Sequence, residues 1–574
     1  MLTKTEYRCI ISVLDSSKNI KSIKTVKGAS EIMKQKKFSI ENMTLREKIN
    51  QTIVVLMAKD KKPTFAPGAA FFFGQIITEA DEAGLEELRG YVKELTDACE
   101  IPPLITSDFE NGCGSMVSAL TPLPYMMGLG ATNDAQLAYD YGKVTALEAR
   151  SIGANWTFSP VSDLNRNRRN PLVNNRGLTD STELAVKMLP QIVRGMQENG
   201  LSACTKHFPG DGMDYRDQHI TTTYNDCSMD DWRATYGKVF SEMIKSGVDS
   251  VMAGHIGLPA YPQQIDARLD MPYPATLSKE LITDLLKGEM GFDGIVVTDA
   301  LDMGGFAGWY PTQEQSEIES FKAGCDMMLW PSDSYADNLE QAILSGEVPM
   351  ERLDDAVTRI LRVKERRGLF APDRELFHDL TAEEASFVKD VQRRCSDQSI
   401  TLVRNKLGHF PLDPKKSPKI GVVVICEYAP ALKEAKALKT EFEKRGFEVD
   451  YNDEGKITRQ EAKRLFEEND LVIYATFSRP FRPVGFLDYT GERTSRLRTS
   501  YTQPSYQDKL AVVSFGSPYF GDQYFEKAQT YVNAYSMLTC SVEAFVRAAC
   551  GEIEFMGKSP VALHERPTST ITIV

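Results

Sequence analysis

From about Ile53 to Pro331, short apolar and β-branched runs alternate with longer segments in which apolar residues recur every three or four positions. The runs are I-V-V-L-M-A (53–58), A-F-F-F-G-Q-I-I (70–77), L-I-T-S-D (104–108) and W-T-F-S-P-V-S-D (156–163), followed by A-C-T-K-H-F (203–208), S-V-M-A-G-H-I (250–256), G-I-V-V-T-D (294–299) and D-M-M-L-W-P (326–331). Unbroken apolar runs, as opposed to alternating ones, suit strands buried on both faces of a parallel sheet. The intervening segments are amphipathic: over 80–95, Leu85, Leu88, Val92 and Leu95 share one helical face. Eight strands separated by helices form repeated βα units, and eight is the number that closes a barrel. The expected class is α/β, with a (β/α)8 TIM-like barrel over residues 41–370.

A second α/β pattern starts near Lys419, with I-G-V-V-V-I (420–425), F-E-V-D-Y (447–451), D-L-V-I-Y-A-T-F (470–477) and L-A-V-V-S-F (510–515). Helical patterns fall near 430–445 and 459–468 and from Ser541 to Cys550. It predicts a smaller, mostly parallel sheet covered by helices, an α/β sandwich domain over 401–574. Glu351 to Arg367 reads as a charged helix, 371–400 as a linker containing another helix, and the Lys-rich residues 1–40 as an N-terminal extension. Neither G-x-G-x-x-G nor a P-loop is present, so no nucleotide fingerprint is expected. The Arg-, Pro- and Tyr-rich stretch 478–506 fits a solvated loop, or alternatively a lid or partner contact.

Length and composition narrow the function. At 574 residues the chain exceeds what one core accommodates. Its net charge of −13 argues against a nucleic-acid binder. No run reaches the roughly 18 apolar residues that cross a bilayer, and the first residues do not resemble a secretion signal. Ten scattered cysteines without a C-x-x-C suggest neither a zinc site nor a disulfide framework, and reduced thiols fit a cytoplasmic protein.

Five of the eight runs end at or near residues capable of chemistry: Asp108, Asp163, Lys206 with His207, His255 and Asp299. In a parallel barrel those ends converge on one face. Asp299 is expected either as a nucleophile or charge stabiliser beneath an electrophilic carbon, or as the cap of the following helix, with Asp302 competing for either role. Asp217 and His219, in the turn-rich loop after Lys206–His207, form the stronger pair. A carboxylate on one ring nitrogen fixes the tautomer and leaves the other to pass a proton. His219 with Asp299 would meet the need of glycoside cleavage for an acid and an opposing nucleophile. Lys206, His207, Asp108, Asp163 and Arg176 then suit hydrogen bonding to sugar hydroxyls, the alternative being salt bridges around the rim. The loop 164–177 carries four arginines, either as solvated surface or as a positive mouth for an anionic group.

These motifs resemble the family 3 glycoside hydrolases, specifically the β-N-acetylglucosaminidase branch. The carriers are K-H-F-P-G (206–210) with Asp217-x-His219, V-V-T-D-A-L-D-M around Asp299, N-W-T-F-S-P-V-S-D-L-N (155–165) and N-N-R-G-L (174–178), with similarity running from 43 to 561. The resemblance implies an exo-acting, retaining double displacement: Asp299 attacks the anomeric carbon and His219, oriented by Asp217, protonates the leaving oxygen. It further implies that Asp108, Arg176, Lys206 and His207 hold a non-reducing N-acetylglucosamine, and that no cofactor or metal is needed. The substrate would be an amino-sugar oligosaccharide, a glycan or a cell-wall fragment. One departure stands out: the family's D-x-E-G-G-R-V is D-F-E-N-G-C-G-S-M-V here (108–117), so an Arg on that rim has no counterpart. Two alternatives stay open on the same fold. One is phosphorolysis, since an imidazole does not repel incoming inorganic phosphate as a carboxylate does; the other is a β-glucosidase.

Overall fold

The computed structural model describes residues 39–563 except 60–63, 78, 427–430, 454–456 and 480–502. All but the last two residues of the proposed extension 1–40, and most of 478–506, thus lie outside the described residues.

The predicted runs form strands β1 (Ile53–Leu56), β2 (Ala69–Phe71), β3 (Leu104–Ser107), β4 (Trp156–Thr157), β5 (Cys204–Phe208), β6 (Ser250–Ala253), β7 (Ile295–Thr298) and β8 (Met328–Leu329). They pair in parallel as a five-stranded sheet ordered β8-β1-β2-β3-β4 and a three-stranded sheet ordered β7-β6-β5. The fold is α/β. A single closed eight-stranded sheet was expected; instead the two sheets meet through isolated parallel bridges, Trp156 to Ser202 and Val161 to Lys206 on one side and Val297 to Met327 on the other. Pro160, which has no N–H to donate, interrupts the fourth run, and only Trp156–Thr157 is regular strand there.

Alternate residues of these strands enter different buried clusters. Val54, Phe71, Leu104, Trp156, Cys204, Met252, Val297 and Leu329, drawn from all eight strands, share one cluster. Their neighbours Ile53, Ala70, Ile105, Val251, Val296 and Met328 belong to another, with the helix residues Leu88, Val92, Leu189, Phe240 and Phe321. The period of two along a strand thus sorts each run between an inner and an outer core. The helix Glu82–Ala98 buries Leu88, Val92 and Leu95 as its spacing predicts, capped by the Asp81 carboxylate on the Ala83 and Gly84 amides.

The sheet of the second unit has six strands: β9 (Thr401–Asn405), β10 (Lys419–Cys426), β11 (Glu448–Asn452), β12 (Leu471–Ser478), β13 (Leu510–Gly516) and β14 (Thr530–Asn533). Their order is β9-β14-β13-β12-β10-β11, parallel except for β9 against β14. The sequence pattern missed β9 and β14, which are short and lack a long apolar run. Ile420, Val422 and Val424 join the helices Ala431–Lys444 and Thr539–Ala549 on one face, while Val423 and Ile425 pack with Leu465 and Phe466 on the other. The last segment returns to the first unit, where Lys558 N donates to Ala131 O at 2.9 Å. Among the described residues no helix is long and apolar enough to cross a membrane.

Candidate active site

Polar side chains gather where β3, β5, β6 and β7 end. Lys206, 3% exposed and on β5, places its ammonium 2.8 Å from Asp108 Oδ1 and 2.7 Å from Glu110 Oε1. Arg176 donates to the same Glu110 from two nitrogens, Nε at 2.9 Å and Nη2 at 2.7 Å. Burial disfavours the charge on Glu110, but Arg176 and Lys206 outweigh it and hold the carboxyl well below its usual range. Glu110 was not singled out from the sequence. The D-x-E spacing at the end of β3 was the available signal.

Beside this layer, His207 Nδ1 donates to Asp163 Oδ2 at 2.7 Å, and the amides of His207 and Asp211 donate to Asp163 Oδ1 at 3.1 and 2.7 Å. Asp163, expected among the sugar holders, is therefore occupied in orienting His207 and its loop. The opposite ring nitrogen of His207 lies 3.8 Å from Asp299 Oδ2. Gly210 and Gly212 let this loop fold tightly. At φ +121° a Cβ on Gly210 would meet the Tyr236 ring at 2.2 Å, and at φ +101° one on Gly212 would meet Leu164 O at 2.0 Å.

Asp299 follows β7. Its amide donates to Ala253 O at 2.8 Å, and its Oδ1 accepts from the Ala300 amide at 2.8 Å. Burial opposes its ionisation, yet the imidazoles of His207, His255 and His219, together with Lys206, keep its carboxyl down at about 2. Asp302, the alternative, is exposed. His219 Nδ1 donates to Asp217 Oδ1 at 2.6 Å, and the His219 amide donates to the same oxygen at 2.9 Å. Gly304 N donates to His219 O at 2.8 Å, and Gly305 N to Gln218 O at 3.1 Å. These bonds fasten the Asp217–His219 loop to the turn that follows Asp299. His255 is structural in its contacts: Nε2 donates to Ala300 O at 2.9 Å, Nδ1 accepts from Thr276 at 3.0 Å, and burial pushes its pKa down.

A cavity of about 600 Å³ opens beside the first layer, bounded by Asp108, Glu110, Arg176, Gln75, Tyr125 and Arg479. Asp299, His207 and His219 are not on its wall; Asp108, which is, bonds Lys206 at 2.8 Å. Arg479 comes from the end of β12 and donates to Tyr125 Oη at 3.4 Å, so both units border the cavity. Of the four arginines in 164–177 only Arg176 faces it. Arg166 pairs with Asp231 at 3.3 Å, Arg168 lies 3.8 Å from Asp522, and Arg169 is exposed. At the altered 108–117 rim, Cys113 is buried against Thr145 O at 3.4 Å, while Asn111, Ser115 and Met116 line the cavity.

The profile described as Glycosyl hydrolase family 3 N terminal domain matches residues 44–363. A "Beta-N-acetylglucosaminidase/beta-glucosidase" of Cellulomonas fimi is 31% identical over 503 residues, covering 82% of this chain and 85% of that protein. A "Beta-hexosaminidase" of Stenotrophomonas maltophilia (strain R551-3) is 31% identical over 265 residues, 45% of this chain and 75% of its own. Among solved structures, a beta-glucoside phosphorylase, BglX, superposes with TM-score 0.80 at 29% identity, covering 93% of this chain and 95% of that one. A family 3 beta-N-acetylglucosaminidase from Paenibacillus sp. str. FPU-7 does so with TM-score 0.76 at 27% identity, covering 91% and 99%. With more than half its length matched by the family profile and a relative 31% identical over 82% of it, the chain belongs to glycosyl hydrolase family 3.

Proposed function

We propose that this enzyme is an exo-acting, retaining β-N-acetylhexosaminidase that removes non-reducing terminal N-acetylglucosamine. One observation carries the reading: the Asp217–His219 pair is fastened to the turn bearing Asp299, whose carboxyl stays ionised. Asp299 Oδ attacks the anomeric carbon and the glycosidic C–O bond breaks. His219, protonated on the nitrogen turned away from Asp217, gives its proton to the departing oxygen. The neutral imidazole then takes a proton from water as that water attacks the glycosyl ester and releases Asp299. Asp108, Lys206, Arg176 and His207 hold the sugar, with Glu110 aligning the two cations. No cofactor enters these steps.

The eight strands enclose this site as a closed (β/α)8 barrel in our reading. Support comes from the bridges at β4–β5 and β7–β8 and from the inner cluster to which all eight strands contribute. The nine described cysteines are free thiols, which suits a reducing, cytoplasmic setting. Phosphorolysis is the second reading. It is favoured by the phosphorylase among the structural neighbours and by Arg176 and Arg479 on the cavity wall. Assay of nitrophenyl N-acetylglucosaminide and nitrophenyl glucoside, with and without inorganic phosphate, tests both. Free N-acetylglucosamine as the product in either buffer is expected; sugar 1-phosphate would install the second reading, and preference for the glucoside would overturn the amino-sugar assignment.

A further inference from the structure

At the end of the first unit remote from Asp299, ahead of β3, β4 and β5, the segment 367–378 runs across the base of the strands. A cavity of about 70 Å³ lies there, bounded by Pro103, Asn155 and Gly200 and by Arg150, Arg367, Arg374 and His378. Three arginines and a histidine share its wall with one carboxylate residue, Glu375, and carboxylates answer the cations only in part. Asp249 is shared between Arg366 at 3.1 Å and Arg367 at 3.2 Å. Glu375, 61% exposed, stands 3.6 Å from Arg150 and 3.7 Å from His378, and His378 also meets Glu384 at 3.1 Å. Arg374 donates to Leu369 O at 2.8 Å, and its nearest carboxylate influence, Asp97, is not in ion-pair contact. Arg367 Nε is buried without a hydrogen-bond partner, on a side chain only 9% exposed. Burial pushes the pKa of both Arg367 and Arg374 down.

We propose that this cavity is a binding site for a small free oxyanion, such as inorganic phosphate or sulfate, gripped by Arg374, Arg367 and Arg150. Guanidinium groups match a tetrahedral oxyanion with paired N–H donors, and a negative ion would satisfy Arg367 Nε and the excess of cations. The space of about 70 Å³ is several times the roughly 10–15 Å³ of such space that admits one water, enough for such an ion. The occupant would pin segment 367–378 to the base of the strands and so act on stability. This inference is independent of the reaction proposed above.

The test measures the unfolding midpoint of the full chain in inorganic phosphate, in sulfate and in chloride at matched ionic strength, with aryl glycoside turnover followed in parallel. Phosphate and sulfate should each raise the midpoint by about 2–4 °C over chloride, as binding to the native state alone requires. Arg374→Ala should remove that increment and leave turnover within twofold. Arg150→Gln, at a side chain 33% exposed, should shrink it and serves if Arg374→Ala folds poorly. Equal midpoints in all three salts overturn the proposal, as does an undiminished increment in both variants, which would assign the anion elsewhere. A sugar phosphate should give no increment; one as large as that of inorganic phosphate would overturn a free ion as the occupant.

Discussion

The two α/β units of this molecule are built alike and end differently. In both, apolar runs make parallel strands whose alternate residues feed two separate cores. At the C-terminal ends of the first set stand Asp108, Lys206, His207, His255 and Asp299; β10, β12, β13 and β14 of the second end at Cys426, Ser478, Gly516 and Asn533. The backbone pattern therefore decides where loops and ligands can meet, and side-chain chemistry decides whether they do. A contrast within the first unit sharpens this. Glu110 and Glu148 are both buried carboxylates, yet Glu110, braced by Arg176 and Lys206, is strongly acidic, whereas burial lifts Glu148 to about 7. Glu148 has only neutral donors from Thr121 against it, the amide at 3.0 and 3.1 Å and the side chain. Partners, more than depth, set the charge.

The largest expected break in the comparison is Asp299→Asn, which should lower kcat on the order of 10³-fold or more while leaving the unfolding midpoint nearly unchanged. Turnover close to the parent's would reassign the nucleophile. His219→Ala comes next: a loss of roughly 10²–10⁴-fold on sugar leaving groups, but within about tenfold on nitrophenyl glycosides, whose leaving group needs little protonation. Equal losses on the two substrate types would remove His219 from the acid role. Glu110→Gln should destabilise the fold by about 3 kcal/mol in urea titration, because it strips the buried Arg176 and Lys206 of a shared counter-charge, and should raise KM more than it lowers kcat.

Glu148 carries the pH prediction. The folded chain keeps its proton up to about pH 7, whereas an ordinary Glu releases it near 4.5, so between those values the folded state binds more protons than the unfolded. Stability from this group falls as pH rises from about 4.5 to about 7, and the loss persists above. Glu148→Gln, which keeps an acceptor for Thr121, should flatten that limb and gain up to about 3 kcal/mol at pH 8. A parent stability curve without that limb would refute the shift. The smallest effect belongs to the six-stranded sheet of the second unit. Ser514 accepts from Thr476 at 3.0 Å and donates to Ser517 O at 2.8 Å, so Ser514→Ala should cost about 1 kcal/mol and leave kcat/KM untouched. A changed kcat/KM there would mean that the second unit takes part in the chemistry.

Much of this was legible in the chain itself. Runs such as I-V-V-L and G-I-V-V-T carry strand identity in their composition, the spacing of Leu88, Val92 and Leu95 carries a helix face, and K-H-F-P-G with Asp217-x-His219 carries the family. These are signals between near neighbours, which is where periodicity and turn chemistry act. Only the tertiary structure decided who pairs with whom: that Glu110 joins Lys206 to Arg176, that Asp163 serves His207 instead of a sugar, and that three of the four loop arginines turn away from the cavity. Ion pairs between residues 44 to 96 positions apart depend on how strand ends are brought together in space, and a buried charge takes whichever partner that packing supplies.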